Sequence, residues 1–294
     1  MRVTQNTSSN LVLQNLQVIQ QRQDVLEQES STGYRVSAIG DDPAAAQQIV
    51  RLNTQTAATN QYARNINAAT SLLTMANSSM SSMQDVLTSV KQLAVQMSSG
   101  TYNAQDQAAA VQQLTQLKNQ LISLGNTQLN GTYLFGGFKN DTPPFDTTGA
   151  FTGTADSTNI EIAPGTSVSA TYSGSQLLAG GGGGVNAMAM MDNLISAVGS
   201  GDQTQIGAQL SNIDQVTSQV TSAEALVGSS MNRLTTATSV GQDSNLATSQ
   251  VVSTLQDADY LQVVSDLAKQ QTAYQAAIAA SAKVSQVSLL DYLS

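Results

Sequence analysis

Apolar and small residues recur along two long stretches of the chain at alternating steps of three and four. The first runs through Ile49, Leu52, Thr56, Thr59, Ala63, Ile66, Thr70 and Leu73, slips in phase near Leu73, and resumes through Ala76, Met80, Met83, Leu87, Val90, Ala94 and Met97. A shorter segment carries the same spacing at Ala110, Leu114, Leu117, Leu121 and Leu124. The second long stretch has it at Ile206, Leu210, Ile213, Thr217, Val220, Glu224, Val227, Met231 and Leu234. A mean step of about 3.5 residues places one narrow stripe against a partner helix. The pattern predicts long coiled-coil-like helices whose stripe is diluted by Thr, Ala and one Glu.

The two ends form a further pair. Val12, Leu16, Ile19 and Leu26 make a stripe near the start; Val264, Leu267, Tyr274 and Ile278 make one near the end, with Val284, Val287 and Leu290 beyond. At 1.5 Å per residue each helix spans roughly 40 Å. Gln20, Gln21 and Gln23 beside Gln270 and Gln271 thin the apolar seam, so these helices depend on packing against each other and on neighbouring subunits.

Boundaries are written in turn chemistry. Ser31-Thr32-Gly33 ends the first helix, and Asp41-Asp42-Pro43 starts the next, with Asp42 capping the free amides and Pro43 at the first helical position. Asn103 and Asp202 are the caps expected for two later helices. Leu129-Asn130-Gly131-Thr132 reads as a tight hairpin turn. The four prolines, Pro43, Pro143, Pro144 and Pro164, leave the long helical stretches uninterrupted. The segment from about 140 to 185 differs from both flanks: it is rich in Gly, Thr and Ser and ends in Gly180 to Gly184. There Ile160 and Ile162, then Pro164-Gly165, then Val168, Ala170 and Tyr172 read as two alternating strands about a turn. The expected fold is mainly α, with long antiparallel coiled-coil-like helices from both chain ends and a small β-rich insert. Its domains are 1–40 with 255–294, then 41–140 with 186–254 (carrying a hairpin near 125–138), and the insert 141–185.

Composition narrows the chemistry. The 294 residues include 20 acids and 11 bases, for a net charge of −9, and no Cys, His or Trp. Catalytic triads with histidine, thiol nucleophiles, thiolate or imidazole zinc sites and disulfides are therefore absent. An acidic chain is a poor ligand for nucleic acid, whose phosphates require clustered Lys and Arg. The polar start, Met1 to Asn10, lacks the form of a cleaved secretory leader, and no apolar run is long enough to span a membrane.

The remaining candidate motifs have structural readings. Asp41 with Asp42, and Asp257 with Asp259, fit helix starts better than a metal or acid–base pair. Gly180 to Gly184 lacks the Lys and Ser/Thr of a phosphate loop and reads as a flexible return linker. Met75, Met80, Met83 and Met97, with Met188, Met190 and Met191, read as core filling. No enzyme activity and no cofactor is expected.

Two motifs near the start, Ser31-Thr32-Gly33-Tyr34-Arg35-Val36 and Asp41-Asp42-Pro43-Ala44-Ala45, resemble the N-terminal signature of the flagellin family. Asn130-Gly131-Thr132-Tyr133-Leu134-Phe135-Gly136-Gly137, Pro144-Phe145-Asp146, the stretch Ala223 to Leu234, and the tail Ser288-Leu289-Leu290-Asp291-Tyr292-Leu293 resemble that family's hook–filament junction members. The likeness covers about 1–145 and 186–294. A filament subunit would carry Asp-Asp-Ala-Ala-Gly where this chain has Asp41-Asp42-Pro43-Ala44-Ala45, and would stop soon after Ser-Leu-Leu, so both departures point to the junction.

The resemblance implies a bacterial extracellular structural protein, exported unfolded through the flagellar type III apparatus. It implies an adaptor ring of identical subunits, with hook-associated protein 1 on one side, flagellin on the other, and an export chaperone at the C-terminal region. A minor flagellin, and a secreted adhesin or translocator with long helices, are the alternatives. Under this reading Leu16, Ile19 and Leu26 form an inner-tube seam with Leu267, Tyr274, Ile278 and Leu290. Arg35, Asp41 and Asp42 set register in the turn between shells, and Tyr133, Leu134 and Phe135 lock the hairpin onto the outer helices.

Overall fold

The computed structural model describes the backbone of residues 5–100 and 102–293 and the side chains of 10–100 and 102–282. In chain order the elements are α1 (Gln5–Thr32), α2 (Pro43–Met97), α3 (Ala104–Gly125), β1 (Gln128–Leu129), β2 (Thr132–Tyr133), β3 (Asn159–Ala163), β4 (Thr166–Ser169), α4 (Gly174–Leu177), α5 (Ala187–Ser200), α6 (Gln203–Gln256) and α7 (Tyr260–Leu293). They sort into two compact units: Met1–Ala57 with Ser244–Ser294, and Ala58–Asp243.

In the second unit, α2 contributes a seam buried at alternating steps of three and four: Ile66, Ala69, Leu73, Ala76, Met80, Met83, Leu87, Val90, Ala94 and Met97. The phase slip expected near Leu73 is absent, because Ala69, fully buried, takes the position expected for Thr70. The register changes earlier, where Thr56, Thr59 and Tyr62 are half-buried at successive steps of three while Ala63 is exposed. On α6 the buried set is Ile206, Gln209, Ile213, Val216, Val220, Ala223, Val227 and Leu234. Val216 and Ala223 occupy the seam positions expected for Thr217 and Glu224. The physical reason is burial cost: this register puts Val216 and Ala223 inside and leaves the Glu224 carboxylate outside, while burying Gln209 in place of Leu210.

The side chain of Glu224 instead reaches across to α2, accepting from Gln84 Nε2 at 2.6 Å. Lys91 Nζ meets Asp214 Oδ1 at 2.6 Å, so rising numbers on α2 pair with falling numbers on α6 and the two helices run antiparallel. The buried methionines sit in this core; Met75 is 38% exposed and lies outside it.

Helix α3 begins with a capping box in which Asn103 accepts from the amides of Gln105 and Asp106 while the Asp106 carboxylate accepts from the Asn103 amide. It packs on α5, with Lys118 Nζ 2.6 Å from Asp192 Oδ1. Asp202 caps α6 through the Gln205 amide at 3.0 Å. Strands β1 and β2 form the expected hairpin, and both turn residues, Asn130 (φ 53°) and Gly131 (φ 81°), take the positive φ that its two-residue loop demands.

The insert departs from expectation in two respects. Strands β3 and β4 pair antiparallel with Ile160 opposite Val168, but β4 stops at Ser169, so Ala170 and Tyr172 lie beyond it. An irregularity between Glu161 and Ala163 breaks the alternation. The glycine run is no free linker: Ala179 bridges Asn186, the Ala187 amide donates to Leu178 O at 2.7 Å, and Gln219 bonds Val185 through both its amide atoms. Ile162, Val168, Ala170, Leu177 and Leu178 join the same core as α2, α3, α5 and α6, so the insert packs with the long helices.

In the first unit α1 lies against α7. Val12, Leu16, Ile19, Gln23 and Leu26 face the seam from one side and Val263, Leu267, Gln270, Tyr274 and Ala277 from the other. Among the described residues, only Leu26 and Val263 are buried in it. Gln270 Nε2 donates to the Ile19 carbonyl at 2.9 Å, filling a polar seam position with a satisfied amide. A second small core joins Val36, Ala45, Ala46 and Ile49 to Val252 and Leu255.

Candidate assembly surface

The turn at 33–42 is tied to the end of α6 by backbone and side chain together. The amides of Arg35 and Val36 both donate to Gln256 O, at 2.7 and 3.2 Å, and the Ala258 amide donates to Gly33 O at 2.9 Å. Arg35 Nη2 donates to Leu255 O at 2.8 Å, placing a cation at the negative end of a long helix. Its Nη1 lies 3.4 Å from Asp42 Oδ2. Asp42 also accepts from the Ala45 amide at 3.0 Å as the cap of α2.

Asp41 is a structural carboxylate. Its Oδ2 accepts from the amides of Ala38 and Ser37, at 2.8 and 2.9 Å, and from the Ser37 hydroxyl at 3.2 Å. Those backbone donors, Ala38 first, hold its carboxyl below the usual range. The Ala45 amide chiefly, with Arg35 beside it, does the same for Asp42. Asp259 caps α7 through the amides of Leu261 and Gln262, and Asp257 accepts from the Ser253 hydroxyl. Both are helix-end devices, as their spacing suggests.

A cleft of about 480 Å³ in this unit is lined in part by Arg22, Tyr34, Arg35, Asp41, Val263 and Asp266. Its three aspartates, Asp41, Asp259 and Asp266, are committed: Asp266 accepts from Gln262 at 2.8 Å and from Lys269 at 3.0 Å, and these two side chains, Gln262 first, lower its pKa. An open groove of about 610 Å³ in the other unit, beside Tyr172 and Gly182, is similar: Asp214 is paired with Lys91 and Gln219 with Val185. Among the described residues no group of three acids is placed to hold a metal ion, and no helix is long and apolar enough to cross a membrane.

The expected assembly residues fall into three places. Leu16, Ile19, Leu267 and Tyr274 are half-buried and Leu26 is buried, all within the α1–α7 seam. Ile278 is 46% exposed and off the seam, because Ala277 takes the inward position; Val264, 42% exposed, likewise yields to Val263. The Leu290 side chain lies outside the described residues. Tyr133, Leu134 and Phe135 belong to the interior of the second unit: Leu134 and Phe135 are buried, Tyr133 is half-buried, and Phe135 O accepts from the Gly174 amide at 2.8 Å.

What sequence reading missed is a second stripe. Leu11, Val18 and Val25, each seven residues from the next, are exposed on one side of α1, and Tyr260, Leu261 and Val264 are exposed on α7. The seven-residue repeat on α1 was the available signal. The end helices thus carry large exposed apolar side chains on a face outside their mutual seam.

The family model of the bacterial flagellin N-terminal helical region matches residues 3–140, and that of the bacterial flagellin C-terminal helical region matches residues 210–293. Flagellar hook-associated protein 3 of Escherichia coli is 28% identical over 285 residues, 89% of this chain and 90% of the relative. Flagellin of Listeria innocua is 24% identical over 88% of this chain and 87% of its own. The solved structure of Bacillus cereus FlgL superposes with a TM-score of 0.61 at 24% identity, over 69% of this chain and 99% of that one, a likeness of fold.

Proposed function

The chain belongs to the flagellin family and is a structural component of the flagellum, and on that premise we propose that it forms the adaptor ring at the hook–filament junction. The carrying observation is the likeness to flagellar hook-associated protein 3 along nearly the whole of both chains. In this reading the ring meets hook-associated protein 1 on the hook side and flagellin on the filament side. The domains divide as 1–40 with 255–294 for an inner tube, 41–140 with 186–254 for the next shell, and 141–185 outside.

The exposed and thinly buried end helices support this reading. A seam with Leu26 and Val263 as its buried pair gains little free energy alone, and neighbours in a ring supply the missing area, coupling final folding to assembly. Leu16, Ile19, Leu26, Leu267 and Tyr274 act in the pair within one subunit, while Ile278 faces a neighbour. Leu290 extends the interface. Arg35, Asp41 and Asp42 fix the turn from which the end helices leave, and Tyr133, Leu134 and Phe135 hold the hairpin that shapes the outer shell.

The chain travels unfolded through the flagellar type III apparatus, guarded by an export chaperone at its C-terminal region, and works outside the cell. A cysteine-free chain suits this route, since no disulfide has to be opened first. The likeness to Listeria flagellin favours one second reading, a minor filament subunit.

Deleting the gene separates the two. Bare hooks with unpolymerised flagellin in the medium are expected of a junction protein. Normal filaments on normal hooks would overturn the reading.

A further inference from the structure

Phe135, Phe145 and Phe151 are buried or half-buried, whereas Phe138 stands 65% exposed, followed at once by Lys139. Its loop is fixed on every side. The Phe138 amide donates to Thr154 Oγ1 at 2.8 Å, the Thr154 amide donates to Gly136 O at 3.0 Å, and the Ser173 hydroxyl donates to Thr154 O at 2.7 Å. The Tyr133 amide donates to Asn140 O at 2.9 Å, closing the loop at its base.

The backbone here is also irreplaceable. Gly137 has φ 68°, and a Cβ on it would lie 2.4 Å from Thr154 O; one on Gly136 would lie 2.2 Å from Lys139 O. A bare aromatic ring is thereby presented on a preordered loop, so contact with a partner costs little further ordering. Preordered aromatic side chains are the usual anchors of protein interfaces.

The charge pattern selects the occupant. Lys139 makes no ion pair with another described residue, and it is the last cation before Arg233. The intervening residues 140–232 hold eight acids and no base. Among them Asp141 and Asp156 are exposed and outside the ion pairs of the subunit. A second copy of this chain therefore offers Lys139 two exposed carboxylates, Asp141 and Asp156, that no cation among its own described residues pairs.

We infer that Phe138 and Lys139 form a knob that docks on the 140–232 surface of the next copy, making a subunit-to-subunit contact distinct from that of the end helices. One surface meeting a different surface on the next copy generates a closed ring when the rotation closes. The inference rests on the ring reading of the proposed function and adds to it a named contact.

The test places the photoreactive residue benzoylphenylalanine at position 138 of the full chain, in cells that are building flagella. Irradiation is expected to give a product of twice the chain mass whose linked peptide lies within 140–232 of a second copy. Lys139→Glu on the same background is expected to cut that yield at least tenfold. Phe138→Ala, on a side chain already in solvent, is expected to leave the melting temperature of the purified chain unchanged while weakening incorporation.

A product with another protein only, no product at all, or a yield indifferent to Lys139→Glu would overturn the inference. Failure here with bare hooks in the deletion strain refutes the knob alone. Filaments in the deletion strain refute the junction reading whatever the crosslink shows.

Discussion

Arg35 and Asp42 lie 3.4 Å apart, and the same guanidinium donates to Leu255 O at 2.8 Å. One side chain thus joins the first residues before α2 to the last turn of α6. The fork geometry matters, because two nitrogens of one planar group serve two acceptors at once and a lysine supplies a single point charge. Arg35→Ala is expected to speed amide exchange at 33–36 and 253–257 by roughly fivefold, the scale of one lost hydrogen bond. Arg35→Lys should recover only part of the protection. Unchanged exchange in the alanine variant would mean that the backbone bonds to Gln256 suffice.

Acid should loosen this unit in a defined direction. Asp41, Asp42 and Asp266 are all held below the ordinary carboxylate range by the hydrogen bonds they accept. A depressed carboxyl contributes stability that is fully present above its unfolded pKa and is lost as pH falls through the folded one. Protection of the 33–42 turn is therefore expected to be flat from pH 7 to 5 and to decline below about 4. Asp41→Asn should lower protection at pH 7 and flatten that decline, which hydrogen exchange across a pH series measures.

The seam of α6 can be checked by a pair of substitutions one residue apart. Val216 is fully buried, while Thr217 is half-buried and donates to Ile213 O. Val216→Asp is expected to cost about 3 kcal/mol or more by burying an unpaired charge. Thr217→Asp should cost less than about 1 kcal/mol. Denaturant unfolding with equal losses for both would return the seam to Thr217 and Glu224.

Limited proteolysis should find the end helices first. Leu11, Leu13, Tyr260 and Leu261 are exposed in helices that bury few side chains, whereas the second unit has a continuous core. Chymotrypsin is expected to cut up to about 40 and after about 255 while a fragment spanning 58–243 survives, because cleavage tracks local opening. Early loss of the 141–185 insert with intact ends would contradict this.

Leu267→Asp and Ile278→Asp should behave differently. Leu267 faces α1 within the seam, so its change should lower helical circular dichroism and block incorporation together. Ile278 is 46% exposed, so its change should leave the purified chain's spectrum intact and still reduce incorporation at least tenfold. Normal incorporation of Ile278→Asp would remove it from the subunit contacts.

Much of the fold was legible because its devices are local. Asp42-Pro43, Asn103, Asp202 and Asn130-Gly131 each act within a few residues, and all occur where their chemistry requires. The seam of α6 was legible only to within one residue. Ile206-Gln209-Ile213 and Ile206-Leu210-Ile213 both satisfy a three–four spacing, and the choice is made by Val216 and Ala223 farther along.

The insert hid its packing for another reason. Ala170, Leu177 and Leu178 are set by contact with distant helices, which no short-range period records. Ile278 was misplaced because an apolar residue at helical spacing marks either an internal seam or an external face. Only the neighbouring Ala277, small and inward, decides between them.

Immunogold labelling of intact flagella with antibody to the 141–185 insert distinguishes a junction protein from a filament subunit. One narrow band per flagellum is expected, at the distal end of the hook where the filament begins. Gold distributed along the filament would make the chain a filament subunit, and its absence from flagella that carry normal filaments would contradict the junction role outright.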